Sequence, residues 1–311
     1  MTRIAATEPL TAPSSPTAPT TPATPAAAAS DVVETLAPPG VLGRIVERTL
    51  RDLRAKPAVA PSLSAARAPE VGLDDDSRGA RFIAALAGPG LRLIAEIKPR
   101  SPSRGPLLPR RRVDAYLASV EPHAAALSVL VDGPFFGGGF DLLAQIRGKT
   151  TLPLLAKGFF VAHSQIAAAA AAGANAVLLM ASVLPEASLQ RLLDDVRRHG
   201  LEALVEAHND DEIAVALRCG ARVVGVNARD LTTLALDPRR ARRLLGSLPA
   251  DGSVVRVAES GLVARADVDA LVGLADAALI GTHLSNAADA GAAARALGFN
   301  ACSPKNEGAA P

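Results

Sequence analysis

A carboxylate and an ammonium lie on the same side of one apolar run in this 311-residue chain. The run Leu93-Ile-Ala-Glu-Ile-Lys98 carries Glu96 and Lys98 two residues apart, so both side chains point the same way in a β-strand. The following residues, Ser101-Pro-Ser-Arg-Gly105, end the strand and supply hydroxyl groups, backbone amides and a cation. These groups favour acid–base chemistry beside a loop that binds an anion.

Lysine is rare in the sequence, which makes its positions informative. The chain has 33 lysines and arginines together, of which five are lysine. Lys98 and Lys157 each end an apolar run. A lysine ammonium can lose its proton near neutral pH when its surroundings favour the loss, whereas an arginine guanidinium cannot. Both lysines are therefore candidate catalytic residues, although a solvated strand end would also account for either one alone.

The composition argues against several classes of function. A net charge of +2 with interleaved acids and bases, few aromatic residues and no Trp argue against a nucleic-acid partner. Cys219 and Cys302 lie far apart and the five histidines are scattered, so neither a disulfide framework nor a metal site is predicted. No uncharged apolar segment reaches about 18 residues, so no membrane partner is predicted. A reducing cytoplasm is the expected location.

Eight short apolar runs, each followed by a polar loop and a helical stretch, fill most of the chain. Because the runs are apolar almost without alternation, they predict strands of a parallel sheet covered by helices. Eight such units predict an α/β protein with a (β/α)8 TIM barrel, and the glycine fingerprint of a doubly wound sheet is missing. The predicted strands are 91–97, 125–131, 152–157, 175–180, 202–206, 222–226, 254–258 and 276–280.

The ends of the chain differ in composition from the barrel. Residues 1–38 are rich in Ala, Pro and Thr and predict a disordered tail, and 299–311 predict a flexible carboxyl-terminal tail. The catalytic barrel domain is predicted over 39–298. Within it, residues 40–56 have apolar positions at helical spacing and predict an extra helix before the first strand.

Polar or glycine residues end most of the predicted strands, where a TIM barrel holds its active site. Three carboxylates and two lysines at one barrel mouth would tune each other's protonation for acid and base work. Glycine and hydroxyl residues after strands seven and eight lie where this fold commonly binds phosphate, so a sugar phosphate is the predicted substrate class. The strand-end residues are Glu96, Lys98, Asp132, Phe136, Lys157, Phe159, Glu206, Asn227, Arg229, Glu259, Ser260, Gly261, Gly281 and Thr282.

The motifs around these residues also occur in a characteristic order. They are Glu96-Ile-Lys98 with Ser101-Pro-Ser-Arg-Gly105, Leu127-Ser-Val-Leu-Val-Asp132 before Phe135-Phe-Gly-Gly138, Lys157-Gly-Phe159, Leu204-Val-Glu-Ala-His208, Gly225-Val-Asn-Ala-Arg-Asp-Leu231, Ala258-Glu-Ser-Gly261 and Ile280-Gly281. Over about residues 40–297 the chain resembles the indole-3-glycerol phosphate synthase family. The resemblance implies conversion of 1-(2-carboxyphenylamino)-1-deoxyribulose 5-phosphate to indole-3-glycerol phosphate in tryptophan biosynthesis, with release of carbon dioxide and water and no cofactor.

The resemblance also implies a role for each site residue. Lys157 would be the acid in ring closure, Lys98 and Glu96 would serve dehydration, and Glu206 would transfer or position a proton; it leaves open which carboxylate is the base. Asn227 and Arg229 would orient the substrate's hydroxyl and carboxylate region, and Glu259 is placed with the binding residues as a support for the lysines. Phe136 and Phe159 would offer flat apolar walls for the anthranilate ring. The phosphate would be bound by Ser101, Ser260, Gly261, Gly281 and Thr282.

The sequence departs from the family pattern at three places and leaves alternatives open. Gly158 and Val131 replace a usual aspartate and threonine, and His283 follows strand eight near the expected phosphate pocket. Phosphoribosylanthranilate isomerase is a disfavoured alternative, because that class uses a cysteine where Glu96 and Lys98 stand. The other alternative is a catalytically reduced or idle paralogue that serves as a binding or assembly subunit or in a specialised indole pathway. Other enzymes of the tryptophan pathway are candidate partners.

Overall fold

The chain folds into a closed barrel of eight parallel β-strands surrounded by helices, which confirms the predicted fold. The computed structural model describes residues 31–55, 78–102, 104–230 and 232–300. Each strand begins and ends within two residues of its predicted range. The strands are β1 (Arg92–Ile97), β2 (Ala126–Leu130), β3 (Leu154–Lys157), β4 (Ala176–Met180), β5 (Glu202–Ala207), β6 (Val223–Asn227), β7 (Val255–Glu259) and β8 (Ala277–Ile280).

The pairing of β1 with both β8 and β2 closes the barrel. The other strands pair in chain order, so the carboxyl ends of all eight meet at one rim. The register puts Met180 beside Glu206 and Asn227 beside Glu259 at that rim. Nearly every strand residue is buried, because helices cover the outer face and side chains fill the interior.

The helices lie outside the strands and include the predicted extra helix. That helix, α1, ends at Ala55, and Lys56 lies outside the described residues. In the described ranges no helix is long and apolar enough to cross a membrane. The helices are α1 (Gly40–Ala55), α2 (Arg78–Leu86), α3 (Val113–Val120), α4 (Phe140–Arg147), α5 (His163–Ala171), α6 (Glu186–Arg198), α7 (Asp210–Arg218), α8 (Pro238–Ser247), α9 (Arg265–Asp269), α10 (Thr282–Asn286) and α11 (Ala290–Ala296).

Helix α2 was not predicted from the sequence, and it closes the amino-terminal end of the barrel. Its Phe82 and Leu86 are fully buried, and the Gly79 amide donates to the Gly200 carbonyl at 2.9 Å, just before β5. A Cβ atom at position 79 would lie 2.8 Å from the Leu201 carbonyl carbon. Glycine is therefore required for this close approach, and the helix seals the end of the barrel opposite the predicted site.

The segment 31–38 differs from the prediction that it belongs to a disordered tail. Val33 is buried, and its amide donates to the Val161 carbonyl at 2.9 Å; the Leu36 amide donates to Val183 at 2.7 Å. These are backbone contacts, which composition does not reveal. The tail prediction for residues 1–30 lies outside the described residues, as does that for 301–311, while Phe299 is buried.

Candidate active site

The carboxyl ends of the strands surround a cavity of about 250 Å³. Glu259, which the sequence analysis placed with the substrate-binding residues, does not line the cavity but lies behind Lys157. The other predicted site residues all line it: Glu96, Lys98, Ser101, Phe136, Lys157, Phe159, Glu206, Asn227, Arg229, Ser260, Gly261, Gly281 and Thr282. The structure therefore brings together residues from seven of the eight strand ends.

The Lys157 ammonium lies at the centre of three buried carboxylates. It donates a hydrogen bond to Glu259 Oε2, and it lies 3.7 Å from Glu96 Oε2 and 3.9 Å from Glu206 Oε2. Lys98 Nζ lies 3.3 Å from the other oxygen of Glu96. The carboxylate side chains are at most 3% exposed, so water screens these interactions little. The cluster is a buried charge network, and all of its members except Glu259 line the cavity.

The network shifts the pKa values of Lys157, Glu96 and Glu259. Burial alone would lower the pKa of Lys157, but the negative charges of Glu259, Glu96 and Glu206 outweigh it and raise that pKa well above its ordinary value. Burial would raise the pKa of Glu96, but Lys98 and Lys157 lower it instead. Because three carboxylates face two ammonium groups, one carboxylate is left undercompensated. Burial raises the pKa of Glu259 to about 7, against the pull of Lys157 and helped by Glu206.

Two glycines make room for two of these carboxylates. A Cβ atom at Gly281 would lie 2.0 Å from Glu96 Oε1, and one at Gly225 would lie 2.3 Å from Glu259 Oε1. Neither distance is sterically possible, so any larger residue would displace the carboxylate beside it. Gly281 was predicted as a phosphate contact, whereas Gly225 carried no chemical signal in the sequence.

The strand end that carries Glu96 and Lys98 is held by two residues that were not predicted from the sequence. Ser285 Oγ donates to the Glu96 carbonyl at 2.8 Å and accepts from the Lys98 amide at 3.2 Å. The Tyr116 hydroxyl donates to the same carbonyl at 3.0 Å. Both side chains are buried, and these bonds fix the backbone from which Glu96 and Lys98 project. A lone Ser or Tyr in a helix gives no signal for such a role.

Another part of the cavity wall is suited to an anion. Ser260 and Gly261 are consecutive residues with positive φ, at 66° and 77°. Tight backbone turns can expose successive amides, an arrangement that binds phosphate. Ser260 is not glycine, so its left-handed conformation costs about 1–3 kcal/mol, a strain typical of functional sites. Arg104 also lines the cavity, and its amide donates to Ser101 Oγ at 3.0 Å.

A flat apolar wall lies beside the lysines. The ring centroids of Phe136 and Phe159 are 6.0 Å apart, and Lys98 Nζ lies 5.4 Å from the centroid of Phe136. Leu178 and Met180 of β4 also line the cavity, although their apolar side chains gave no sequence signal. In the described ranges no three His, Cys, Asp or Glu side chains are arranged to hold a metal ion. The cavity therefore has a wall suited to an aromatic ring and a turn suited to an anion.

Comparison with known proteins decides the family. The model of the indole-3-glycerol phosphate synthase family matches residues 42–297. The indole-3-glycerol phosphate synthase of Deinococcus radiodurans is 42% identical over 266 residues, which cover 83% of this chain and 95% of that protein. The chain belongs to the indole-3-glycerol phosphate synthase family. The resemblance inferred from the strand-end motifs is thereby confirmed.

Other relatives agree with this membership. Indole-3-glycerol phosphate synthase 2 of Streptomyces coelicolor is 44% identical over 70% of this chain and 84% of that protein. A 3-hexulose-6-phosphate synthase from Salmonella typhimurium superposes with a TM-score of 0.54 at 16% identity, covering 67% of this chain and 96% of that one. A mutant tryptophan synthase alpha-subunit from Pyrococcus furiosus gives 0.52 at 16%, covering 66% and 97%. The two solved structures establish the barrel fold alone.

Two departures from the pattern of the indole-3-glycerol phosphate synthase family prove to be in contact. A Cβ atom at Gly158 would lie 2.7 Å from Val131 Cγ2, and the Val131 amide donates to the Lys157 carbonyl at 2.9 Å. Val131 thus occupies the space beside position 158, and both adjoin the lysine. The third departure, His283, lines the cavity as expected from its place after β8.

Proposed function

We propose that the chain is an indole-3-glycerol phosphate synthase that releases carbon dioxide and water from the carboxyphenylamino deoxyribulose phosphate. The observation that carries the assignment is the buried Lys157 ammonium among three carboxylates, in a cavity that also has an aromatic wall and the turn at Ser260 and Gly261. The substrate has an aromatic ring, a carboxylate and a phosphate, which match these parts of the cavity. The site residues are all present, so the idle-barrel alternative is not favoured.

In ring closure, the carboxylate-bearing ring carbon attacks the ketone carbon, and Lys157 gives a proton to the ketone oxygen as it becomes a hydroxyl. Carbon dioxide then leaves, and the electron pair of the broken bond restores the aromatic ring. Lys157 has a high pKa and therefore carries its proton at neutral pH. An alkoxide is more basic than an amine, so the transfer to it is favourable.

In dehydration, the new hydroxyl leaves as water with a proton from Lys98, and a carboxylate removes a proton from the ring system. We assign Glu206 as this base. Glu96 faces Lys98 with one oxygen and Lys157 with the other, and Glu259 is bonded to Lys157 and does not line the cavity. Glu206 lines the cavity, and its Oε2 lies 3.9 Å from Lys157 Nζ, which is longer than a hydrogen bond. Glu96 supports Lys98 in this step.

The remaining site residues bind the substrate. The anthranilate ring packs against the wall that Phe136 and Phe159 form, and Asn227 Oδ1 fixes Arg229 by accepting a hydrogen bond from its backbone amide at 2.9 Å. The phosphate is bound at Ser101, Ser260, Gly261, Gly281 and Thr282. A phosphorylated metabolite of this kind does not cross membranes unaided, so we place the reaction in the cytoplasm, alongside other enzymes of tryptophan biosynthesis.

The test is an assay for the formation of indole-3-glycerol phosphate, which is detected by the fluorescence of the product. Lys157→Met should retain the fold and lower kcat by at least about a hundredfold, the scale for loss of a positioned acid. Lys149→Met is the matched control, because Lys149 pairs with Asp114 outside the cavity. Undetectable product from the unaltered protein would support the idle barrel. Near-normal turnover by Lys157→Met would show that Lys157 is not the acid in ring closure.

A further inference from the structure

His208 is a buried histidine that the proposed mechanism does not use. It follows β5 and precedes α7, and its side chain is 11% exposed. One ring nitrogen, Nε2, lies 3.4 Å from Glu206 Oε1, and the other, Nδ1, lies 3.3 Å from Glu212 Oε2. The imidazole therefore lies between the proposed base and a second carboxylate outside the cavity.

Glu212 fixes the orientation of the ring. Its Oε2 accepts the backbone amide of His208 at 2.7 Å, and its Oε1 accepts from Asn209 Nδ2 at 2.8 Å. Asn209 in turn caps α7 by accepting the Glu212 amide at 2.8 Å. A carboxylate held in this way favours a proton on Nδ1, and Nε2 is left facing Glu206.

His208 Nε2 and Glu206 Oε1, which face each other, are both buried, and neither has a hydrogen-bond partner among the described residues. If His208 carried a proton on Nδ1 alone and Glu206 were ionised, two lone pairs would face each other in a buried place, which is costly. A proton on either Nε2 or Oε1 removes this conflict. We propose that His208 is a positioning residue that shares a proton with Glu206 Oε1 and so aims Glu206 Oε2 toward Lys157 and the substrate.

The charges around His208 support this arrangement. Glu206 on β5, Glu212 on α7, Glu259 on β7 and Asp230 after β6 face the ring, and Lys157 on β3 faces Glu206. Burial alone would lower the pKa of His208, but the hydrogen bond to Glu212 and the surrounding negative charges outweigh it and raise that pKa. His208 therefore keeps its second proton to a higher pH than an ordinary histidine, and it gives up that proton as the pH rises through the raised pKa.

The direct test is a nitrogen-15 NMR titration of the histidine rings in the full-length protein over about pH 5 to 9, a range that spans the ordinary histidine pKa. Loss of one signal set in His208→Asn assigns the ring. We expect both nitrogens to be protonated below a midpoint that lies above the ordinary value, and Glu206→Gln to lower that midpoint. The same midpoint in Glu206→Gln would overturn the proposal. The titration does not require turnover, so it decides the proposal even if the proposed function fails.

Kinetics supply the second test, and this part rests on the proposed function. His208→Asn keeps a donor toward Glu212 but none toward Glu206, and should lower kcat about tenfold with KM changed less than about twofold. In His208→Gln a neutral amide can reach Glu206, so this variant should recover most of the kcat that His208→Asn loses. Its pH–rate profile should lack the alkaline limb that results from deprotonation of His208. His163→Asn, whose ring pairs with Asp195 away from the cavity, is the control.

Superimposable pH profiles for His208→Asn and the unaltered protein would also overturn the proposal. If His208→Asn does not fold, Glu212→Gln provides the same decision, because it loosens the ring from the other side without touching Glu206. We expect Glu212→Gln to lower the His208 midpoint and to reduce kcat in the same direction. An unchanged midpoint and unchanged kcat in that variant would contradict the assigned role.

Discussion

Glu259 should make the barrel less stable as the pH rises toward neutrality, and Glu259→Gln should remove this dependence. The carboxyl is fully buried, and its pKa rises from 4.5 to about 7 because burial penalises its charge. The folded state therefore holds this proton more tightly than the unfolded state does. The stabilisation is complete below about pH 4.5 and is lost as the pH passes through about 7. An amide at position 259 cannot titrate and carries none of this effect.

The size of the effect follows from the change in pKa. Each pKa unit corresponds to about 1.4 kcal/mol, so the full rise is worth about 3 kcal/mol. Most of this lies between about pH 5 and pH 8, where the free energy of unfolding of the unaltered protein should fall by about 2–3 kcal/mol relative to Glu259→Gln. Taking the difference between the two proteins cancels the titrations that they share.

The assay is denaturant unfolding of both proteins at several pH values, with extrapolation to zero denaturant at matched m-values. Glu202→Gln is the control, because Glu202 is a buried carboxylate that pairs with Arg222 at the other end of β5. This variant measures how the loss of a buried carboxylate outside the cluster affects the free energy of unfolding. A difference for Glu259→Gln that stays constant or grows with pH would refute the reasoning, because the surplus negative charge would then reside elsewhere in the cluster.

Three further outcomes are expected. Gly281→Ala puts a Cβ atom 2.0 Å from Glu96 Oε1, so kcat should fall at least about tenfold and the free energy of unfolding should fall by about 1–3 kcal/mol. Unchanged kcat in steady-state assays would show that Glu96 can move without cost. Gly158→Ala should lower Tm and kcat, because its Cβ atom would press on Val131. Adding Val131→Ala to the same chain should restore part of both quantities, which a double-mutant cycle measures; additive effects would show that the two positions do not interact. Deletion of residues 1–38, which include the buried Val33, should lower the free energy of unfolding by about 2 kcal/mol. Deletion of residues 1–30 alone should leave the Tm unchanged.

Much of the candidate site could be predicted, because the two-residue periodicity of a strand determines which side chains point to the same face. Glu96 and Lys98 are two residues apart, so they had to share a face of β1, and the structure places them 3.3 Å apart. Parallel strands bring their carboxyl ends to one rim, so Lys157, Glu206 and Asn227 were expected to converge there, and all three line the cavity. The apolar runs were equally informative, because burial on both faces leaves a continuous apolar pattern.

The sequence by itself determined the barrel, the rim and the residue types that gather there. Tertiary structure alone decided which groups pair: Lys157 bonds to Glu259, 102 residues away, and Ser285 holds the strand end of Glu96 from 189 residues away. Periodicity states which side of a strand is buried, but a contact shorter than 4 Å depends on barrel closure, register and rotamers. For the same reason, the space that Gly225 leaves for Glu259 becomes visible only once neighbouring strands are side by side.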